Sequence, residues 1–349
     1  MVKIWGIVLL PISFGFGLIT WVRNLLFDWG IFPSKKHQVK IISVGNLSMG
    51  GTGKTPHVEY LVRQLHDNYK IATLSRGYGR KTKGFVLADE NADANSVGDE
   101  PLQYYRKFKD ILVAVDGNRN RGVRQLMKDQ DGLDVVLLDD AYQHRWIKRD
   151  LSILLTDYHQ LFYKDYVFPS GKLREFRSGM RRADIIIVTK TPVVLSPITR
   201  RRIMDEMRIK PYQKLLFSKI VYDGFINVKT NHTRKHPPKV STIVLFTGIA
   251  NSYPLQEYLQ KYCNEMVVLT FPDHHNFSEK DIHLIHQTFD EQFTKNKMLV
   301  TTEKDTQRLL VSSQKEVLFQ HPIFYVPIHI VFHNNDAEDL NQTIRNSLF

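Results

Sequence analysis

The sequence has a single cysteine, Cys263, in 349 residues. No intramolecular disulfide can form, and a reducing compartment is the simpler setting. Acidic residues are also short: 36 Asp and Glu stand against 48 Lys and Arg, a formal net charge of +12. Such a surplus points to an anionic partner, whether nucleic acid, a phosphorylated substrate or an acidic membrane surface. Zinc-knuckle, basic-zipper and aromatic RNA-binding signatures are missing, so no nucleic-acid partner is expected and the other two remain. Internal repeats and low-complexity tracts are missing as well, and the length then allows two ordinary domains, each with its own core.

Long apolar runs are scarce, with one exception. Ile4 to Val22 is uncharged and flanked by Lys3 and Arg23, just enough to cross a hydrocarbon core of ~30 Å at ~1.5 Å per residue. It exceeds the usual signal-peptide core, and no small-x-small cleavage site follows. Pro11, the glycines and the Trp5 and Trp21 pair suit a kinked or interfacial helix as well as a spanning one. A buried core helix is the plain alternative. Arg23, Lys35, Lys36 and Lys40 follow, which keeps the rest of the chain on the cytoplasmic side.

From Lys40 to about Pro211, short apolar runs alternate with helix-length segments, the signature of βαβ units around a parallel sheet. Strands are expected at Lys40–Val44, Lys70–Leu74, Ile111–Val115, Val135–Leu138, Leu151–Leu155 and Ile185–Thr189. Most are continuously apolar, as when helices cover both faces. Ligands in such sheets bind beyond the carboxyl ends of strands, where Gly45 onward, Arg76, Asp116, Asp139 and Lys190 fall. An extended run and a polar, proline-bearing stretch follow and read as a connector. A second α/β series has strands near Ser241–Thr247, Met266–Thr270, Met298–Thr301 and Phe324–Val326, and a short polar helix is expected from Asp336. The expected division is an N-terminal membrane-associated helix (1–25), an α/β P-loop NTPase-like parallel-sheet core (26–215), a two-stranded connector (216–239) and a smaller C-terminal α/β domain (240–349).

The stretch SVGNLSMGGTGKTP, Ser43 to Pro56, follows the first strand and precedes a helix-compatible segment. Strand, glycine loop, Lys-Thr and helix is the order that wraps backbone N–H groups around a nucleotide's phosphates. Ser48, Met49, Gly50, Gly51, Thr52, Gly53, Lys54 and Thr55 form this loop. Lys54 would reach the β- and γ-phosphates and Thr55 would coordinate Mg²⁺. The strict pattern wants glycine where this chain has Ser48.

VVLLDDAYQH, Val135 to His144, is an apolar strand ending in two acids, as in a Walker B element that holds Mg²⁺. Asp139 is the first choice for the metal shell and Asp140 stands next to it. In SVGDEP, Asp99 could accept a proton from a substrate hydroxyl, and it could equally cap the following helix. FPDHHNF offers His274 and His275, either as partners of a carboxylate base or as members of a hydrogen-bonded turn. Basic loops lie at SRGYGR, DGNRNRG and PSGKLREFRSGMRR, where arginine forks would match phosphate oxygens. Glu175 in the last loop could add a metal-facing carboxylate. TEKD, Thr302 to Asp305, reads best as a helix cap.

Taken in order, these motifs and the N-terminal apolar helix resemble the tetraacyldisaccharide 4'-kinase family across nearly the whole chain. The resemblance implies a monotopic enzyme on the cytoplasmic face of the inner membrane of a Gram-negative bacterium, expected as a monomer. It would transfer the γ-phosphoryl of ATP to the 4'-hydroxyl of the lipid A disaccharide 1-phosphate precursor. It further implies that Lys54 and Thr55 serve the phosphates and Mg²⁺, with Asp139, Asp140 and Glu175 around the metal. Asp99 becomes the base, supported by His274 in preference to His275. Arg76, Arg119, Arg121 and Arg174 become candidates for the substrate phosphate and headgroup, with Arg119 and Arg121 as alternatives. The rival reading is a membrane-attached P-loop NTPase switch that phosphorylates no lipid.

Overall fold

The computed structural model describes residues 8–235, 237, 239–273, 275–310, 312 and 314–348. The chain divides into two compact units, unit 1 being Met1–Asn91, Tyr104–Ile220 and Ile330–Phe349, and unit 2 being Ala92–Gln103 and Val221–His329. The contiguous boundaries at 215 and 239 therefore do not describe the fold. A short internal segment joins unit 2, and the C-terminal stretch returns to unit 1.

In chain order the elements begin with α1 (Leu10–Asp28), β1 (Lys40–Asn46), α2 (Lys54–Leu65), β2 (Ile71–Ser75), β3 (Val86–Leu87), α3 (Asp99–Lys107), β4 (Leu112–Val115) and α4 (Arg119–Asp129). They continue with β5 (Val135–Asp139), β6 (Leu151–Asp157), β7 (Ile185–Thr189), α5 (Pro197–Met207), β8 (Lys214–Tyr222), β9 (Phe225–Asn227), β10 (Thr233–Arg234) and β11 (Val240–Thr247). The last are α6 (Tyr253–Leu259), β12 (Cys263–Thr270), α7 (Glu279–Asp290), β13 (Lys297–Thr302), α8 (Glu303–Leu309), α9 (Lys315–Phe319), β14 (Ile323–Val326), β15 (Ile328–Phe332) and α10 (Asp336–Leu348).

Among the described residues, a nine-stranded sheet runs β15-β8-β7-β6-β1-β5-β2-β4-β3. Parallel pairing holds from β8 to β4, and β3 joins the edge antiparallel. β1 lies between β5 and β6, so the loop that leaves its carboxyl end sits where the strand order reverses, the place such sheets offer to a ligand. Ile41, Ile42 and Val44 are fully buried, and apolar clusters cover both faces of the sheet. The run that reads as the start of a connector is β8, a full member of this sheet. Its residues Leu215, Leu216 and Phe217 are buried.

Unit 2 holds a six-stranded sheet, β10-β9-β14-β13-β11-β12, with the central pairs parallel and β9 and β10 antiparallel at one edge. Val244, Phe246, Ile282, Ile285 and Leu299 build one of its two apolar clusters.

The apolar N-terminal helix runs beyond its expected end at Val22. Residues 4–7 lie outside the described set, and α1 continues to Asp28. It can continue because its polar C-terminal turns find partners: Asn24 Nδ2 donates to Glu175 (2.6 Å) and Arg145 pairs with Asp28 (2.6 Å). Pro11 lies in the first turn of α1, where its missing N–H leaves no bond of that helix unmade. Gly17 is required by close approach, since a Cβ there would stand 2.4 Å from the ring of Phe176. The opposite face exposes Ile12, Phe14, Phe16, Leu18, Ile19, Trp21 and Val22. At about 1.5–3 kcal/mol per side chain withdrawn from water, this face favours an apolar medium by on the order of 10 kcal/mol.

Candidate active site

The glycine loop is shaped by its backbone. Gly50 (φ 111) and Gly53 (φ 81) are left-handed, a conformation glycine adopts without steric cost. A Cβ at Gly50 or Gly51 would meet nothing within 4 Å, so space for an anion adjoins the loop. Ser48 can stand where the strict pattern asks for glycine because it forms an antiparallel bridge with Leu173, and Met49 N donates to Lys172 O at 2.7 Å. The loop is also braced from beneath. Asn46 Nδ2 donates to Thr52 Oγ1 (2.9 Å), Thr189 Oγ1 donates to Thr52 O (2.9 Å), and Lys190 Nζ donates to Gly51 O while pairing with Asp157 (2.8 Å).

α2 opens at Lys54, with Gly53 as N-cap and no side chain capping it. Its first N–H groups and the positive end of its dipole are therefore available to an anion. His57, one turn in, is buried, with Nδ1 at 2.6 Å from Gly53 O and Nε2 at 2.9 Å from Ser218 Oγ. Burial holds its imidazole down at about 4, against a smaller upward pull from the Gly53 carbonyl.

Beside the loop, β5 ends in Asp139, whose Oδ2 accepts from the Tyr104 hydroxyl at 3.0 Å in a buried setting. Asp140 is turned off the strand by a left-handed φ of 47°, which a short polar side chain tolerates. Its Oδ1 lies 3.6 Å from Lys54 Nζ and 2.9 Å from Arg174. Burial raises the Asp140 pKa, but Lys54, Arg174 and Arg119 together outweigh it and hold the carboxyl below its ordinary range. Asp140, second choice in the sequence, is thus the acid that faces the loop lysine.

Arg119 is buried and donates to the carbonyls of Asp116 and Gly117. Burial lowers its guanidinium to about 10 despite the attraction of Asp139 and Asp140. Arg121 is committed elsewhere, gripping Asp116 with two bonds of 2.8 Å. Of the two alternatives, Arg119 is the one under the influence of the acidic pair. Arg174 is bound to Asp140, and Arg76 is exposed.

Glu175, expected to face the metal, is employed otherwise. It is buried; Oε1 accepts from Arg182 (2.7 Å) and Gln143 (3.2 Å), and Oε2 accepts from Asn24 of α1 (2.6 Å). A carboxylate saturated in this way anchors the apolar helix. Hard oxygen donors that could hold Mg²⁺ beside the loop are Thr55, Asp139 and Asp140, and the Asp140 carboxyl is held below its ordinary range, in the charged form that such a cation favours.

Unit 2 carries its own polar cluster. Asp99 starts α3, and its Oδ2 accepts from Arg308 Nε (3.0 Å) and Nη2 (2.6 Å). Arg308 is buried and also reaches Asp305 Oδ1 at 3.2 Å. Asp305 accepts from Gly248 N (3.1 Å) and from the Thr302 hydroxyl (2.7 Å). Burial pushes Asp305 above the usual carboxylate range in spite of these donors. Thr302 caps α8, as the TEKD pattern suggests. His274 lies outside the described residues. His275 stacks on Phe271 and meets Asp281 at 2.9 Å, and Asp281 belongs to the capping box of α7. That contact ties His275 to the start of α7.

A family model described as tetraacyldisaccharide-1-P 4'-kinase matches residues 5–348. The chain belongs to that family. It is 44% identical to a Bacteroides thetaiotaomicron protein named tetraacyldisaccharide 4'-kinase over 347 residues, covering 96% of this chain and 91% of that one. A protein of the same name from Flavobacterium johnsoniae is 44% identical over 328 residues, covering 94% and 93%. Among solved structures, the chain resembles LpxK from Aquifex aeolicus in complex with ATP, with a TM-score of 0.76, 26% identity, and coverage of 99% of this chain and 100% of that one.

Two residues that contact the candidate acids escape the motif reading. Tyr104 and Arg308 touch the two acids of greatest interest, Asp139 and Asp99, through partners distant in sequence. Arg308 had one local signal: it lies three residues after Asp305 and so shares its helix face.

Proposed function

We propose that this protein transfers the γ-phosphoryl group of ATP to the 4'-hydroxyl of a tetraacylated glucosamine disaccharide 1-phosphate, giving the 1,4'-bisphosphate of lipid A biosynthesis. The observation that carries this reading is the left-handed glycine loop with Lys54 and Asp140 paired at its end, in a chain matched end to end by the family. The loop amides and the α2 N-terminus bind the phosphates, and Lys54 exchanges Asp140 for phosphate oxygens. Thr55, Asp139 and Asp140 would hold Mg²⁺, which when bound would supply charge neutralisation on the transferring group. Tyr104 orients Asp139, and Arg119, Arg174 and Arg76 supply positive charge for the substrate's headgroup and phosphate.

Asp99 accepts the proton of the 4'-hydroxyl as its oxygen attacks, aided by His274. Arg308 and Asp305 hold the Asp99 carboxylate in one orientation. The exposed face of α1 lies in the cytoplasmic leaflet of the inner membrane, and the net positive charge of the chain adds attraction to anionic headgroups.

The test is incubation with ATP labelled in its γ-phosphate and the acyl disaccharide 1-phosphate in mixed micelles. Label in a chloroform-soluble product is the expected result. Label released only as inorganic phosphate would instead support the NTPase switch and overturn the lipid-kinase reading.

A further inference from the structure

Unit 2 carries a second constellation that shares no residue with those assigned above. His286 and Asp290 lie on α7 at a spacing of four, which puts both on one helix face. His321 comes from the turn after α9, held by its N–H to Leu318 O at 3.0 Å. Its Nε2 lies 2.7 Å from His286 Nδ1 and 3.8 Å from Asp290 Oδ1, while His286 Nε2 lies 3.5 Å from Asp290 Oδ2. One ligand atom from each of the three residues falls within 4.8 Å of the others.

We propose that His286, Asp290 and His321 form a zinc-binding site that clamps the end of α7 to the α9–β14 turn. Two imidazoles and a carboxylate are a donor set that zinc prefers. With metal–ligand bonds of about 2.0–2.1 Å, the ligand atoms of a tetrahedral site stand about 3.3 Å apart. The observed 2.7 and 3.8 Å bracket that edge, so small side-chain rotations suffice. The 2.7 Å contact is a hydrogen bond in which one ring nitrogen donates and the other offers its lone pair. Zinc takes the place of that shared proton, which moves to the other nitrogen of its ring or to solvent. All three residues are at least partly exposed, leaving the fourth position to water.

The rings are already preorganised. His286 and His321 stack at 4.9 Å, and Phe289 packs on His321 at 4.5 Å. Lys297 stands close by, but its ammonium is drawn to the carbonyls of Phe289 and Gln292 at the end of α7 (2.6 and 2.8 Å). The site would join the helix that contributes Ile282, Ile285 and Phe289 to the unit 2 core to the helix that contributes Leu318. Binding would therefore appear as stabilisation of folded protein.

The experiment uses full-length protein stripped of metal by chelation. Zn²⁺ is titrated by calorimetry and Co²⁺ by visible absorption, with thermal unfolding in parallel. Wild type should bind one equivalent of Zn²⁺, show the absorption of four-coordinate Co²⁺, and unfold several degrees higher with zinc. His286→Ala and His321→Ala should each weaken binding by more than about tenfold and abolish the thermal shift. His283→Ala, an exposed histidine on the same helix, should change neither. A far-UV circular dichroism spectrum matching that of metal-free wild type certifies the fold of each variant. Absence of binding to wild type, or unchanged affinity in both ligand variants, overturns the site and leaves the cluster a hydrogen-bonded triad.

Discussion

Asp140 in unit 1 and Asp305 in unit 2 are both acids within a polar network that includes cations, and the two networks treat them in opposite ways. Asp140 is surrounded by Lys54, Arg174 and Arg119, whose combined pull wins over burial and keeps it charged. Asp305 is fully buried, with Arg308 as its one directly paired cation among the described contacts, and burial wins. The first network has more positive than negative charge and an open loop beside it, so it is built to receive an anion. The second spends its arginine internally, between Asp305 and Asp99, so it is built to orient a carboxylate.

If that contrast is right, substitutions in the two units should fail differently. Asp99→Ala is expected to have the largest effect, lowering kcat by about 10²–10⁴-fold while equilibrium binding of ATP is retained. Arg308→Met should lower kcat by about tenfold, because Asp99 loses its directing hydrogen bonds. Arg308→Lys should recover part of that loss. A variant in either position that lost ATP binding with its turnover would erase the distinction between the two networks.

Lys54→Ala comes next, with kcat falling by about 10²–10³-fold through loss of charge stabilisation on the transferring group. Unlike the unit 2 variants, it should also weaken ATP binding. Steady-state kinetics paired with nucleotide titration would show it, and unchanged affinity for ATP would detach Lys54 from the phosphates.

His57 probes the scaffold beneath the loop. His57→Ala removes two buried hydrogen bonds and should cost about 1–3 kcal/mol in urea unfolding. The folded pKa of about 4 lies below the ordinary imidazole value, so the neutral form is the one the fold stabilises. That contribution is complete above about pH 6.5 and is lost as pH falls from there through about 4. The wild-type urea midpoint should decline across this window, and the decline should be shallower in His57→Ala. His144, lowered to about 4 by burial and three nearby arginines, contributes to the slope that remains.

How much of this was legible before folding follows the same divide. Strands such as Val135–Leu138 and Ile185–Thr189 were readable because they are continuously apolar and bounded by polar turns. The glycine loop was readable because its function resides in consecutive backbone groups. Arg308 was not, because its two carboxylates come from α3 and α8 and only the tertiary fold brings them together. The tie from Glu175 to α1 was hidden for a related reason: its neighbours in sequence belong to a basic loop, while its partner Asn24 lies on α1. The units themselves resisted division because β8 begins as an apolar strand of one sheet and leads straight into the other unit, with no glycine- or proline-rich break between Lys214 and Tyr222.

The smallest expected effect distinguishes a brace from a participant within unit 1. Lys190 donates to the Gly51 carbonyl and pairs with Asp157 at 2.8 Å, with part of its side chain exposed. A pair in that setting is worth about 0.2–1 kcal/mol. Lys190→Ala should therefore loosen the loop only enough to raise the KM for ATP by about two- to fivefold, leaving kcat unchanged. Asp157→Asn should give a similar shift, and the double variant should add little, because both remove the same contact. A fall in kcat comparable to that of Lys54→Ala would mean that the ammonium leaves Gly51 for the phosphates, and unit 1 would then meet its anion with two lysines rather than one.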